Sequence, residues 1–275
     1  MKCINFDDHF ADFTSQWLKD HSKEYRNYEA MEEDMPRVYM TFLNTPAKWL
    51  DGVTPGAYFT QYEDAKDLVD WLNEYCERGI PVPDLLLDQI QAVGKPCEKR
   101  LLALLKDENA TDEAKMTAVG LLREMGSDLP KMLYIGWQLE RADKDELCDN
   151  ALESLGEMGR CAVQPMLEAL PHANAAGQEA LLDVLANYPG NEQVFQLALR
   201  LFRENPVRHA LFASYLGKLG DDRALPDLMA AAKDDNVAYL DFIELRNAIE
   251  ELGGTAPERE FDEDPTYDAL FGVDK

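Results

Sequence analysis

Residues 212–235 read FASYLGKLGDDRALPDLMAAAKDD, and this stretch contains the element that recurs along the chain. Before Gly220, apolar side chains stand at Phe212, Leu216 and Leu219, which are eight, four and one residues upstream. Offsets of four and three place these side chains on one face of a helix. A glycine after the last turn suits a left-handed helix end, because it lacks the β-carbon that makes this conformation costly. The stretch therefore predicts a helix, a glycine turn and a second helix.

The same arrangement recurs at six glycines that are separated by 32, 33, 31, 30 and 33 residues. They are Gly94, Gly126, Gly159, Gly190, Gly220 and Gly253. Eight residues before each glycine stand Leu86, Ala118, Ala151, Leu182, Phe212 and Leu245. Four residues before stand Ile90, Leu122, Leu155, Ala186, Leu216 and Ile249, and one residue before stand Val93, Met125, Met158, Pro189, Leu219 and Leu252. Such a period is typical of stacked repeat units rather than of one conventional core.

A second apolar segment of about ten residues follows each turn, without the alternation typical of a strand. Examples are residues 96–105, 129–139, 162–170, 194–202 and 224–232. One helix pair cannot bury both of its faces, so neighbouring pairs stack and share a continuous core. The sequence therefore predicts an all-α fold, with an α-solenoid of about five to six helix hairpins over residues 80–254.

Residues 1–79 do not follow the repeat and predict an N-terminal helical cap domain for the array. Aromatic residues at helical spacing predict one amphipathic helix, and they are expected to form a small helical core (Phe6, Phe10, Phe13 and Trp17). The acidic residues 32–34 interrupt the apolar pattern before a second segment, 38–43. Asp64 is predicted to cap a helix that runs to about Arg78.

The last segment, residues 255–275, predicts an acidic C-terminal tail. Its residues 257–264 are mostly acidic, and Tyr267, Leu270 and Phe271 then form a short apolar patch. We expect this patch to dock on the last helix pair. The alternative is a mobile acidic linker that carries a recognition peptide.

The repeat residues resemble a known family. Residues 220–228, GDDRALPDL, followed by residues 233–235, KDD, are similar to a short HEAT repeat of the phycobilisome-lyase type. Residues 104–107 and 159–167 are similar to it as well. The resemblance extends over residues 80–254 and implies a HEAT-like α-solenoid. Because unrelated functions use this scaffold, it implies little about function. A chromophore-lyase-like enzyme is one alternative that it leaves open.

Charge is the strongest functional constraint in the sequence. The chain has 27 basic and 53 acidic side chains, a formal net charge of −26. Nucleic-acid binding depends on cationic side chains that neutralise phosphates, and anionic membranes attract basic segments, so the sequence predicts neither partner. High acidity favours a basic protein or peptide partner, or serves solubility alone. No oligomeric state is predicted.

Compartment and chemistry are predicted mainly by what the sequence lacks. Residues 1–8 become acidic at once, which predicts no secretion signal, and the five scattered cysteines predict reduced thiols in a cytoplasmic protein. Phosphate-binding, dinucleotide-binding and nucleophile-elbow motifs do not occur in the 275 residues. We therefore predict no enzyme activity, no catalytic residue, no metal and no cofactor.

A second resemblance lies within the predicted cap. Residues 42–46, FLNTP, and 50–55, LDGVTP, are similar to the toxin-binding domain of certain bacterial antitoxins. The resemblance implies an antitoxin-like role through residues 42–75, provided that they form a compact helical unit with an exposed edge. Antitoxins of that family usually carry a helix-turn-helix upstream, and residues 1–35 show none.

The predicted partner-binding site lies on the second helix of one repeat. Leu129, Met132, Leu133 and Gly136 fall on one helical face and are expected to pack inward. Tyr134, Trp137 and Gln138 are expected to point elsewhere, and large aromatic side chains dominate binding hot spots. Lys131, one turn before Tyr134, is a weaker addition to this site. The alternative is that the aromatic pair packs against the adjacent repeat. The sequence thus predicts a non-catalytic scaffold that binds a protein or peptide on an acidic concave surface.

Overall fold

The computed structural model describes residues 2–261 and 264–271. Helices in the first part are α1 (Phe6–His21), α2 (Tyr28–Asn44), α3 (Ala65–Glu77), α4 (Asp84–Val93), α5 (Lys95–Leu105) and α6 (Asp112–Glu124). Helices in the second part are α7 (Lys131–Leu139), α8 (Glu146–Met158), α9 (Arg160–Ala169), α10 (Ala175–Leu185), α11 (Glu192–Glu204), α12 (His209–Leu219), α13 (Leu225–Ala232), α14 (Tyr239–Glu251) and α15 (Pro265–Phe271). No strand occurs among the described residues, which confirms the all-α prediction.

The six repeat glycines all have a positive φ, but Gly94 and Gly159, with ψ angles of −131° and −138°, lie outside the left-handed helical conformation that the sequence predicts. Their φ angles are 72°, 63°, 64°, 97°, 67° and 77° in chain order. At Gly220, for example, the glycine ends α12, and its N–H donates a hydrogen bond to the carbonyl of Gly217. A residue with a β-carbon would be strained at this φ. The glycine period therefore corresponds to a period in the backbone.

The core follows two of the three predicted apolar columns. All twelve side chains at eight and four residues before the glycines are 0% exposed. In the third column only Leu219 is buried, at 5% exposure, and Pro189 is exposed. The remaining residues of that column are half-buried. The buried stripe of each first helix is thus narrower than predicted.

The described residues divide into two compact units, Met1–Pro130 and Lys131–Lys275. We call them the N-terminal unit and the C-terminal unit. The predicted domain boundaries after residues 79 and 254 stay predictions.

Within the C-terminal unit, some helices contact their counterparts in the neighbouring repeat. First helices pack together in the pairs α8 with α10 and α12 with α14, and the second helices α7 and α9 also pack together. Each second helix contacts the next first helix, as in α9 with α10, α11 with α12 and α13 with α14. Arg223 pairs with Glu192 at 2.7 Å, 31 residues upstream, and Arg208 pairs with Glu179, 29 residues upstream. These separations are close to the repeat length.

In the N-terminal unit, α3 supplies much of the core. Leu68, Trp71, Leu72 and Tyr75 are buried, and α3 contacts α4, α5 and α6. Asp64 caps α3 through the N–H groups of Lys66 and Asp67, as predicted. Helix α3 is packed against the first repeat helices, and the antitoxin-like role of residues 42–75 stays a prediction.

The segment before α3 differs from its prediction in one respect. Residues 32–34 lie inside α2, so the predicted interruption there is wrong. Their carboxylates are compatible with a helix because they lie on its outer side or pair locally. Asp34 accepts hydrogen bonds from Arg37 and from the Tyr25 hydroxyl, at 2.6 and 2.5 Å. Pro36 also lies within α2.

The described part of the tail is docked. Helix α15 contacts α14, and the ring of Tyr239 lies 5.1, 5.0 and 5.8 Å from those of Phe261, Tyr267 and Phe271. The N–H of Tyr239 also donates to Asp264 at 2.8 Å. Residues 262, 263 and 272–275 of the predicted tail lie outside the described residues. None of the helices described could cross a membrane.

Candidate functional site

The four residues predicted to bind a partner all lie on α7, but the helix face is opposite to the one predicted. Tyr134 and Gln138 are 0% exposed, whereas Leu129 and Met132 are 47% and 64% exposed. The prediction that Leu129 and Met132 pack inward while Tyr134 and Gln138 point away is therefore wrong. Leu129 precedes the helix, which begins at Lys131, so it does not belong to the helical stripe on which the prediction relied.

Gln138 belongs to a buried hydrogen-bond network. Its side-chain amide donates to the carbonyl of Cys148 at 2.9 Å, and its amide oxygen accepts from Arg141 at the same distance. The Arg141 guanidinium also pairs with Asp149. The carbonyl of Arg141 accepts a hydrogen bond of 2.9 Å from the Asn174 side chain. This network joins α7 to α8 and to the start of α10, so Gln138 has a structural role.

Trp137 and Lys131 are half-buried and retain part of their surface. The Trp137 ring lies 5.5 Å from that of Tyr134, at an interplanar angle of 40°. Its carbonyl accepts a weak hydrogen bond from the Cys148 thiol. Of the four predicted residues, these two alone keep a surface of more than a few per cent, and their partner-binding role stays a prediction.

A groove in the C-terminal unit lies between the first helices α8 and α10. It has a volume of about 570 Å³. Four carboxylates line it together with small apolar surfaces and an aromatic ring. The lining residues are Asp149, Leu152, Glu153, Gly156, Glu157, Asp183, Val184, Asn187 and Tyr188. We call this the acidic groove.

The lining of the acidic groove holds four carboxylates and no basic side chain. Arg141, which is 8% exposed, pairs with Asp149 and offsets the charge of that one carboxylate. Behind the groove, burial and the neighbouring charge of Asp183 raise the pKa of Tyr215, which keeps that hydroxyl neutral. Glu153 and Glu157 are exposed on the next two turns of α8 after Asp149.

A second cavity continues from the acidic groove past Tyr188. It has a volume of about 520 Å³ and is lined by Arg160, Val163, Gln164, Asn187, Tyr188 and Pro189. Tyr188 is half-buried between the two cavities. Gly159 lies next to this side chain, since a β-carbon there would be 3.7 Å from the Tyr188 hydroxyl, an ordinary van der Waals contact. Tyr188 thus presents its ring to both cavities.

The acidic groove could have been found from the repeat register. Asp149, Glu153 and Glu157 are spaced by four residues, which places them on one helical face. Asp183 and Asn187 stand seven and three residues before Gly190, beside the core columns of the next helix. The first helices α8 and α10 pack side by side, so these positions face the same groove. These positions lie beside the core columns rather than within them, so the columns alone do not predict the groove.

The described residues contain no group of three or more metal-ligating side chains. Burial raises the pKa of Cys76 and Cys97 to about 11 and that of Cys148 to about 12, so these thiols are protonated at neutral pH. Those described carboxylates with a resolved shift all have a lowered pKa. Hydrogen bonds from an arginine or from backbone N–H groups stabilise the ionised carboxylate in each of them. These residues are Asp34, Glu192, Asp221, Asp227, Asp234 and Asp264.

Comparison with protein-family models, with curated proteins and with solved structures finds no match for this chain.

Proposed function

We propose that this protein is a HEAT-like α-solenoid that acts as a non-catalytic interaction module. Its acidic groove binds an arginine-rich segment of a protein partner. The observation that carries the proposal is the groove of about 570 Å³ between α8 and α10, with carboxylates on both helices. The proposed location is the cytoplasm, where free cysteines such as the five in this chain persist.

The solenoid part of the proposal is supported by the repeat contacts. In a solenoid each unit contacts only its neighbours. Within the C-terminal unit, packing of α8 with α10 and of α12 with α14, and ion pairs about one repeat apart, agree with such stacking. The contact between α7 and α10 joins repeats that are not adjacent in the chain, so the packing departs there from simple stacking. The eight column residues of the C-terminal unit, all fully buried, agree with a core that neighbouring repeats of that unit share.

The partner chemistry is supported by charge and by side-chain geometry. A carboxylate accepts two parallel hydrogen bonds from one guanidinium, which makes arginine the best match for Asp149, Glu153, Glu157 and Asp183. Guanidinium planes also stack on aromatic rings, and Tyr188 presents one at the end of the groove. A net charge of −26 attracts basic partners over longer distances.

The non-catalytic part of the proposal stays an expectation. A carboxyl group that acts as a general acid near neutral pH needs a raised pKa, whereas histidine acts at its ordinary pKa. The resolved carboxylate shifts in the described chain all go in the opposite direction, as in Asp227 beside Arg203. The antitoxin-like and lyase-like alternatives stay predictions, and no contact among the described residues favours either.

Calorimetric titration with a peptide of five Arg-Gly repeats tests the proposal. We expect saturable binding by the full chain, and a loss of about five- to thirtyfold in affinity for Tyr188→Ala, corresponding to ~1–2 kcal/mol. Tyr28→Ala is the matched control, because Tyr28 is 67% exposed in the other unit. An absence of binding by the wild type at millimolar peptide, or equal affinities of the two variants, contradicts the proposal.

A further inference from the structure

A second groove lies in the N-terminal unit, where α1 meets the turns that follow α2. It has a volume of about 370 Å³, within the range of small-ligand sites. Its walls are mainly aromatic, proline and alanine side chains, with one carboxylate at the rim. The lining residues are His9, Asp12, Phe13, Phe42, Thr45, Pro46, Ala47, Trp49 and Pro55. We call it the aromatic groove.

Trp49, one wall of the aromatic groove, is held on several sides. Its ring stacks on His9 with centroids 3.9 Å apart and an interplanar angle of 3°. Phe6 contacts it edge-on at 5.3 Å, and Phe42 lies at 6.4 Å. A wall fixed in this way need not be ordered when a ligand binds, which lowers the entropic cost of binding.

The turn that carries Trp49 is also fixed by its backbone. The N–H of Ala47 donates to the carbonyl of Val53 at 3.0 Å, and the N–H of Gly52 donates to the carbonyl of Ala47 at 2.9 Å. Asp51, with φ 54°, is the one described non-glycine residue in the left-handed region. Residues in such conformations persist where the surrounding structure holds them, often at binding sites.

The surroundings of the aromatic groove are acidic. Residues 5–13 and 42–58, which form it, contain four acidic side chains and one basic side chain (Asp7, Asp8, Asp12, Asp51 and Lys48). Asp12 lines the groove itself and is exposed. A bound segment therefore gains from a positive charge next to its apolar side chain.

We propose that the aromatic groove binds one bulky apolar side chain of an extended segment of a partner protein, with a lysine or arginine next to it facing Asp12. The protein's own tail has exposed apolar residues, Leu270 and Phe271, but it fits poorly by charge. Residues 255–275 carry seven acidic and two basic side chains, which the acidic rim repels. The occupant is therefore a basic partner rather than this chain or a second copy of it.

The test uses the full chain labelled with 5-fluorotryptophan, which places one fluorine at each of Trp17, Trp49, Trp71 and Trp137. The resonance that is lost in Trp49→Phe belongs to Trp49 and reports on the aromatic groove. The probe is the peptide Gly-Lys-Ser-Phe-Ser-Lys-Gly. Control peptides replace its phenylalanine by serine, or both of its lysines by glutamate. We expect the probe to shift the Trp49 resonance saturably and to bind at least about tenfold more tightly than either control.

Two matched variants separate the aromatic groove from other sites. Thr45→Tyr places a ring in the groove and is expected to abolish the Trp49 shift. Thr60→Tyr changes an exposed threonine outside it and is expected to have no effect. Both hydroxyls donate to backbone carbonyls, of Thr41 and Ala57, so both substitutions lose a comparable bond. A shift that survives Thr45→Tyr, a shift confined to Trp137, or tighter binding of a peptide of residues 255–275 would overturn the proposal.

Discussion

Gly177, in the first turn of α10, marks the closest approach of that helix to α7. A β-carbon at this position would overlap the backbone carbonyl oxygen of Gln138, which cannot move aside as a flexible side chain can. Gly136, on α7 itself, is exposed and has open space around it. Gly177 therefore has a steric role, whereas no packing contact requires a glycine at Gly136.

We predict opposite effects when each of these glycines is replaced by alanine. Gly177→Ala should lower the free energy of unfolding by about 1–3 kcal/mol, because it overpacks a helix contact. Gly136→Ala should raise it by about 1 kcal/mol, because alanine is the better helix former. Urea unfolding measures both. A neutral Gly177→Ala would mean that α7 and α10 are not in close contact.

His209, at the start of α12, is expected to make stability depend on pH. Its ring stacks on Phe202 with centroids 4.3 Å apart, and burial lowers its pKa below the ordinary value. The unfolded chain, with a histidine pKa of about 6.5, therefore binds the proton first as pH falls. The stability that neutral His209 contributes is complete above pH ~6.5 and is lost as pH decreases towards the folded-state pKa.

The measurement is the melting temperature of wild type and of His209→Gln between pH 7.5 and 5.5. We expect the advantage of the wild type to shrink as pH falls. Taking the difference cancels the effect of the 53 acidic side chains, which both proteins share. A difference that is constant or grows with acidity would refute this role of His209.

At the scale of residues, the sequence was sufficient to predict which side chains form the repeat core. Leu122 and Leu155 are buried as predicted, because a strict register of apolar residues leaves one face to bury. The sequence was insufficient to predict the buried face of α7, because apolar residues occupy most of the circumference of this helix. Met132 and Tyr134 are both large and apolar, so the period alone could not decide which faces the core. The contacts with α8, α9 and α10 decided it.

At the scale of elements, Arg141 holds α7 and α8 together through unequal partners. Gln138 is 0% exposed, whereas the Asp149 side chain is 61% exposed. Removing the arginine leaves the amide oxygen of Gln138 without its donor in a place that bulk water does not reach. Removing the charge of Asp149 leaves a site that water can still solvate.

Accordingly, Arg141→Ala should cost about 1–3 kcal/mol of unfolding free energy, the usual effect of an unsatisfied buried group. Asp149→Asn should cost less than about 1 kcal/mol, as for exposed ion pairs. Chemical denaturation of both variants is the test. Equal costs would show that the ion pair, and not the bond to Gln138, stabilises this junction.

The boundaries of the first elements show where local sequence was misleading. Residues 32–34 suggested an interruption, yet α2 continues through them and through Pro36. The capping of α3 by Asp64 was predictable, because a carboxylate followed by free N–H groups is a local pattern. Continuation of α2 depends on long-range contacts, such as burial of Val38 and Phe42, which no local pattern contains.

For the whole molecule, charge and repeat period were both visible in the sequence, but their combination in one groove was not. The acidic groove needs two helices from successive repeats, here with Asp149 on one and Asp183 on the other. Thirty-four residues separate these carboxylates in the chain. Their proximity follows from helix packing rather than from any motif.

The central claim is that the acidic groove, and not the net charge alone, binds a basic partner. The most direct test measures by calorimetry the affinity of the Arg-Gly peptide for two variants of equal net charge. Glu153→Lys/Glu157→Lys alters the groove, and Glu204→Lys/Glu260→Lys alters exposed positions outside it. Circular dichroism first establishes that both remain folded.

We predict that the groove variant loses more than about thirtyfold in affinity, since two attractive contacts become repulsive at short range. The control variant should stay within about threefold of the wild type, because distant surface charges are screened by salt. Equal losses in the two variants would contradict the account and would show that overall charge attracts the peptide without a defined site.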